Sequence, residues 1–208
     1  MANVGEAPIP PTPVLPYDAE VEYLQSDGNA YIDTGVKTTS DVRVVVSLNM
    51  SEPNGNVPIY GGRVAANNKS NALFYYKANN WSWRYGNEEK TIAHSGTLGD
   101  FITSNKTTAR TMVISGAKSG SVSCTAATFT TDYNMYIFSS NNGGTAITTA
   151  NSAAMKIKSV EMYDGSTLVR NYISVRKNGV GYLYDKVSGQ LFGNANSTGA
   201  FTYGNDKT

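Results

Sequence analysis

The sequence predicts an all-β protein, a two-sheet antiparallel jelly-roll sandwich preceded by an extended Pro-rich N-terminal arm. Three observations lead there. Only 16% of the 208 residues are charged, while Ser, Thr and Asn supply about 30%. The 20 glycines and 14 tyrosines favour strands and tight turns over helices. Short apolar stretches alternate with turn dipeptides at roughly 8–12-residue spacing, the rhythm of a sandwich or barrel. Covering about 190 residues at that spacing takes about 12–14 strands, which points to a large jelly roll.

Residues 1–18 stand apart from the rest. Pro8, Pro10, Pro11, Pro13 and Pro16 fall here, out of 7 prolines in the chain, with Ile9, Val14 and Leu15 between them. Such a run prefers polyproline II and cannot enter a helix or a central strand. Ile9, Pro10, Pro11, Pro13, Val14 and Leu15 are therefore candidate docking residues for a partner groove, and residues 19–208 the sandwich. Within the sandwich, Val42, Val44, Val46 and Leu48 alternate with Arg43, Val45, Ser47 and Asn49, giving one strongly apolar face. Comparable runs span 72–77, 110–115, 135–138, 155–163, 168–175 and 181–184. Asp27-Gly28, Asn54-Gly55, Asn142-Gly143-Gly144, Asp164-Gly165, Asn178-Gly179 and Ser188-Gly189 separate the runs as turns. The run from Met155 to Tyr163 is apolar on both faces, which calls for a bulge or for cover on both sides.

A net charge of +1 removes the electrostatic term that drives nucleic-acid and acidic-membrane binding. No stretch approaches the roughly 20 apolar residues that span a bilayer. The N-terminus has neither a basic region nor an apolar one of the secretory kind, so the chain is expected to stay in the cytoplasm unless it leaves within something larger. The one cysteine, Cys124, excludes an internal disulfide and reads as inert packing. The one histidine, His94, excludes a multi-His metal site and reads as a surface imidazole before a turn. No cofactor or metal is expected.

Glu22-Tyr-Leu-Gln-Ser-Asp-Gly-Asn-Ala-Tyr-Ile-Asp-Thr-Gly35, Tyr60-Gly-Gly-Arg63 and the long block from Met155 to Asn194 carry a resemblance. Together they resemble concanavalin A-like, LamG-type jelly-roll modules, found in surface and secreted proteins of gut bacteria and in structural proteins of their bacteriophages. The resemblance implies a lectin-like sandwich over nearly all of residues 20–204. Tyr31-Ile-Asp-Thr-Gly35 and Tyr182-Leu-Tyr-Asp-Lys-Val-Ser-Gly189 look like its folding elements, with aromatic anchors, a turn glycine and a turn-capping Asp. Some relatives hold calcium, but no set of oxygen ligands maps onto this chain.

Two constellations bear on chemistry. Asp18, Glu20 and Glu22 alternate as the paired carboxylates of a glycosidase would. They sit where the arm enters the first strand, without an aromatic cleft, and read as solvated edge charges. Phe74-Tyr-Tyr-Lys-Ala-Asn-Asn-Trp-Ser-Trp-Arg-Tyr85 holds both tryptophans. Trp83 and Tyr85 read as core, while Trp81, after a turn, is the candidate sugar platform with Asn79, Asn80 and Arg84 as its polar partners.

These residues argue against an enzyme. They suit a bacteriophage virion protein, whether capsid decoration, head-fibre or tail-fibre component, assembled in the host cytoplasm and released by lysis. Its expected partners are other virion proteins, held through the arm, and host or mucosal glycans, met weakly by many copies or a homo-oligomer. The alternative is a secreted or cell-surface carbohydrate-binding module of a gut bacterium.

Overall fold

The structure, a computed structural model, describes residues 15–66, 68–76, 80–94, 98–106, 110–125 and 127–208. Of the candidate docking residues, Ile9, Pro10, Pro11, Pro13 and Val14 lie outside them, as does Asn79. The chain begins with β1 (Ala19–Glu20), β2 (Leu24–Ser26), β3 (Ile32–Thr39), β4 (Val42–Met50) and β5 (Val57–Arg63). Next come β6 (Ser70–Tyr76), β7 (Asn80–Gly86), β8 (Glu88–Ala93), β9 (Asp100–Lys106), β10 (Thr111–Gly116) and β11 (Gly120–Ser123). Then follow β12 (Thr130–Ile137), β13 (Asn141–Asn142), β14 (Thr145–Ala146) and a short 3-10 turn at Ala150–Ala154. The last strands are β15 (Met155–Asp164), β16 (Thr167–Lys177), β17 (Val180–Asp185), β18 (Gln190–Phe192) and β19 (Phe201–Tyr203).

They form the two sheets of an all-β sandwich of jelly-roll type. The larger sheet runs β11-β10-β9-β4-β15-β16-β17-β18, with β1 on β16 and β2 joining β15 to β19. The smaller runs β14-β13-β5-β6-β7-β8, with β12 bridging β3 and β5. Pairing is antiparallel apart from the short contact of β13 with β5.

The alternation read from the sequence fixes which side chains enter the core. Along β4, each residue from Val42 to Met50 on the even positions is buried and its neighbours are half-buried. The double-faced run of β15 resolves into a bulge. Its register on β4 slips between Ile157 and Ser159, so Met155 and Ile157 before the slip and Val160 and Met162 after it all reach the core. Lys158 is the extra residue and points away. The Asn178-Gly179 turn joins β16 to β17 with φ of 50° and 76°, the left-handed pair that a two-residue hairpin requires.

Facing β4 and β15 across the core are Tyr60, Leu73, Tyr75, Trp81, Trp83, Tyr85 and Ile137 of the smaller sheet. His94, expected at the surface, is instead 3% exposed, wedged edge-on between the rings of Tyr75 and Phe101. Apolar Ile92 and the aromatic neighbours leave the imidazole on the core side of the strand end. Cys124 is a buried free thiol, pushed up to about 11 by burial and then by the nearby Glu88 charge, which makes it a poor nucleophile.

Candidate functional site

Strand alternation splits the aromatic segment between two faces. Tyr75, Trp81, Trp83 and Tyr85 point into the core, and Phe74, Tyr76, Ser82 and Arg84 point the other way. Trp81 is therefore not a sugar platform. It is 1% exposed, packed edge-on against Tyr75 at 5.1 Å and Phe101 at 5.0 Å. The expectation failed because β7 begins at Asn80, one residue before the tryptophan, so no turn residue separates Trp81 from the strand. Asn80 stands half-buried at that strand start opposite Tyr76.

Arg84 does belong to a site, but on the outer face with different partners. Register sets Phe74 opposite Ser82, Ala72 opposite Arg84 and Arg84 opposite Glu89 of β8. The Arg84 guanidinium lies 5.1 Å from the Phe74 ring centre, and that of Arg63, at the end of β5, lies 5.5 Å from it. Two cations thus flank one aromatic ring. They border a pocket of about 320 Å³, within the range of small-molecule sites. Tyr76 and Pro58 also line it, as do Thr149, which caps the 3-10 turn, and Asn151 within that turn. The Asn151 side-chain amide donates to the Thr149 hydroxyl at 2.9 Å, which holds the two side chains together.

Glu89 organises the rim. It accepts from the Ser82 hydroxyl at 2.5 Å and the Tyr76 hydroxyl at 3.0 Å, and pairs with Arg84 at 3.4 Å. Burial pushes the Glu89 carboxyl up, but these bonds and the Arg84 charge outweigh it and hold the group below the usual range. Arg84 also donates to the Tyr76 hydroxyl at 2.6 Å. Arg63 is different. It is 6% exposed, donates from Nε to the Asn142 side-chain Oδ1 at 2.8 Å, and leaves Nη1 without a partner. Burial, and then the charge of Arg84, push its guanidinium below its ordinary value against the smaller opposing pull of Tyr76 and Glu89.

The other sequence candidates lie elsewhere. Asp18 accepts from the Asn178 N–H, Glu20 from the Tyr17 hydroxyl and Glu22 from the Asn205 N–H, so the three carboxylates are taken up by separate contacts near the chain ends. Asp33 and Asp185 act as the turn-capping residues foreseen. Asp185, fully buried, accepts from the N–H groups of Asn171, Val187 and Ser188 and from the Ser188 hydroxyl. Leu15 is 55% exposed. Among the described residues, no three His, Cys, Asp or Glu side chains gather as a metal site.

Arg63, Phe74 and Tyr76 were not foreseen as site residues. The available signal was phase: once Tyr75 and Trp83 are assigned to the core, Phe74, Tyr76 and Arg84 must share the outer face.

No family model matches the chain, and no curated protein matches it. Among solved structures it is similar to the CBM40 of the Ruminococcus gnavus IT-sialidase, a structure bound to alpha2,3 sialyllactose. Identity is 12% and the TM-score 0.42, over 66% of this chain and 88% of that one.

Proposed function

We propose that the protein is a non-enzymatic glycan-binding module whose ligand sits in the outer-face pocket above Phe74. The observation that carries this reading is the pocket's chemistry. Two guanidiniums, the half-buried Tyr76 ring beside the more deeply buried Phe74, and the hydroxyl and amide groups of Thr149 and Asn151 line it together, which suits a pyranose with one apolar face and a ring of hydroxyls. Its ionisable groups, Arg63 and Arg84 with Glu89 at the rim, bind and orient. They do not make the pair of carboxylates that glycoside hydrolysis uses. One pocket gives weak affinity, and many copies on one assembly gain avidity without new contacts.

The place of display that we propose is a bacteriophage particle, where the module decorates the capsid or forms part of a head or tail fibre. Two features support it: the Pro-rich segment 1–18, with Leu15 exposed where that segment meets the sandwich, and the resemblance of the Met155–Asn194 block to phage structural modules. Display on a gut bacterial surface uses the same pocket. Mass spectrometry of purified virions separates the two.

The binding reading is tested by screening wild-type protein on a broad glycan array, followed by NMR titration with the best ligand. The expected result is saturable binding with shifts at Tyr76, Ile147 and Asn151. Shifts confined to another surface, or no binding across the array, overturn it.

A further inference from the structure

Arg63 is the only Arg or Lys in the buried class among the described residues, and it makes no ion pair among them. That is unusual, because buried cations are almost always paired and an uncompensated one costs several kcal/mol, on the order of the penalty for breaking a buried pair. The other strongly placed cations have partners. Arg170 faces Asp185, Arg176 is clasped by Asp206 and Asp18, and Lys158 meets Asp100. At the pocket the balance differs. Glu89 is already shared among Ser82, Tyr76 and Arg84, leaving one positive charge in excess. Nη1 of Arg63 and Nε of Arg84 are both buried donors without acceptors.

We infer that Arg63 and Arg84 make this pocket selective for an acidic sugar, whose carboxylate or sulfate sits against the two guanidiniums while its ring lies on the aromatic lining. This rests on the glycan-binding reading above and names the class of ligand for that same site. The physical reason is that Arg63 feels the Glu89 charge only at a distance and makes no contact pair with it, so an anion adds the missing contact, and guanidinium forks match carboxylate and sulfate oxygens in pairs. A neutral sugar would leave the excess charge in place and cover it further, which raises its cost. Thr149 and Asn151 also line the pocket and offer a hydroxyl and an amide to the sugar's remaining hydroxyls.

Other hollows do not carry the same argument. The one beside Tyr23 is lined by three cations, Lys156, Lys158 and Lys207, but it also holds two carboxylates, Glu22 and Asp100, Lys156 lies over the Tyr23 ring, Lys158 is paired with Asp100, and none of the three lysines is buried. The crevice beside Tyr85 is bordered by Glu88, which is itself paired with Lys90.

The test is calorimetric titration of the full chain with three matched oligosaccharides, one carrying uronic acid, one sulfated and one neutral. At least 10-fold tighter binding of either acidic ligand than of the neutral one, weakening as salt rises, is the expected result. Arg63→Met keeps the apolar stem and removes the charge. It should lose that preference while its melting temperature holds or rises, since replacing an unpaired buried charge with an apolar side chain relieves the structure. If Arg63→Met does not fold, Arg84→Gln serves, with the same loss of preference expected. Equal affinity for acidic and neutral ligands, with both variants unaffected, overturns the charge selectivity and leaves glycan binding intact. No binding of any of the three, after a negative array, removes both readings. Binding of an acidic peptide through Arg63, with every sugar inert, overturns the ligand class.

Discussion

Replacing Trp81 with alanine separates a core tryptophan from a ligand platform. The side chain is 1% exposed and its ring meets Tyr75 and Phe101 edge-on, with centroids 5.1 and 5.0 Å away. Truncating a buried aromatic to Ala costs about 3–5 kcal/mol, and two good aromatic pairs place this site in the upper half of that range. One term works the other way. The indole Nε1 has no hydrogen-bond partner, so removing it relieves about 1 kcal/mol. The net loss is about 3–4 kcal/mol, which in a chain of this size lowers the melting temperature by about 6–16 °C. Trp81→Phe keeps a ring in place and sheds the orphaned N–H, so it should cost only about 1–1.5 kcal/mol. Urea and thermal unfolding followed by near-ultraviolet circular dichroism measure both. Glycan affinity of the folded fraction should stay unchanged. A fall of less than about 2 °C in Trp81→Ala, with binding abolished, would refute the placement of the ring in the core.

Asp185→Ala leaves three backbone N–H groups without their acceptor and Arg170 without its counter-charge, so it should cost about 3–5 kcal/mol, with Asp185→Asn recovering part of it in the same unfolding assay. Glu89 has a carboxyl held below its ordinary value in the folded protein, so its contribution to stability is complete above about pH 4.5 and disappears as the pH falls through the lowered value. Urea midpoints taken across pH 3–6 should therefore fall less steeply on acidification in Glu89→Gln than in wild type. Deleting residues 1–14 should leave the melting temperature within about 2 °C of wild type. Deleting 1–18 should cost about 1–2 kcal/mol, because Tyr17 packs with a tilted ring against Tyr184 and Asp18 accepts from the Asn178 N–H. Either deletion should abolish incorporation into particles, and full incorporation without the segment would refute its role as an anchor.

The sandwich was legible in the sequence because a strand's period of two is written directly in its residues. Val42 to Met50 shows it without interruption, and even the anomalous run at Met155 announced the bulge that the pairing with β4 contains. The pocket was legible only in part. Arg84 stood in the right segment, yet its partner Arg63 comes from a strand some twenty residues earlier, beside β6 through the pairing of Gly62 with Asn71. That neighbourhood depends on register, which short-range pattern does not specify. Trp81 was misplaced for a related reason. A residue next to a turn can belong to either the turn or the strand, and cross-strand pairing with Tyr75 decided for the strand. His94 likewise read as a surface residue before a turn, whereas the rings of Tyr75 and Phe101 pack on either side of it.

The pairing of β2 with β19 has a mechanical consequence. Leu24 lies opposite Tyr203 and Ser26 opposite Phe201, and a further bridge joins Val21 to Asp206. The strands are antiparallel, so Val21 and Asp206 lie together at one edge of the domain, with Arg176 gripping both Asp18 and Asp206. A load applied between those two points would open the pair like a zipper, breaking its bonds one after another at low force. A load carried by only one of them would pass through the Arg176 clasp into β16, near the middle of the larger sheet, where neighbouring strands share it. Carrying load through only one of these two strands is thus the sturdier arrangement for this domain.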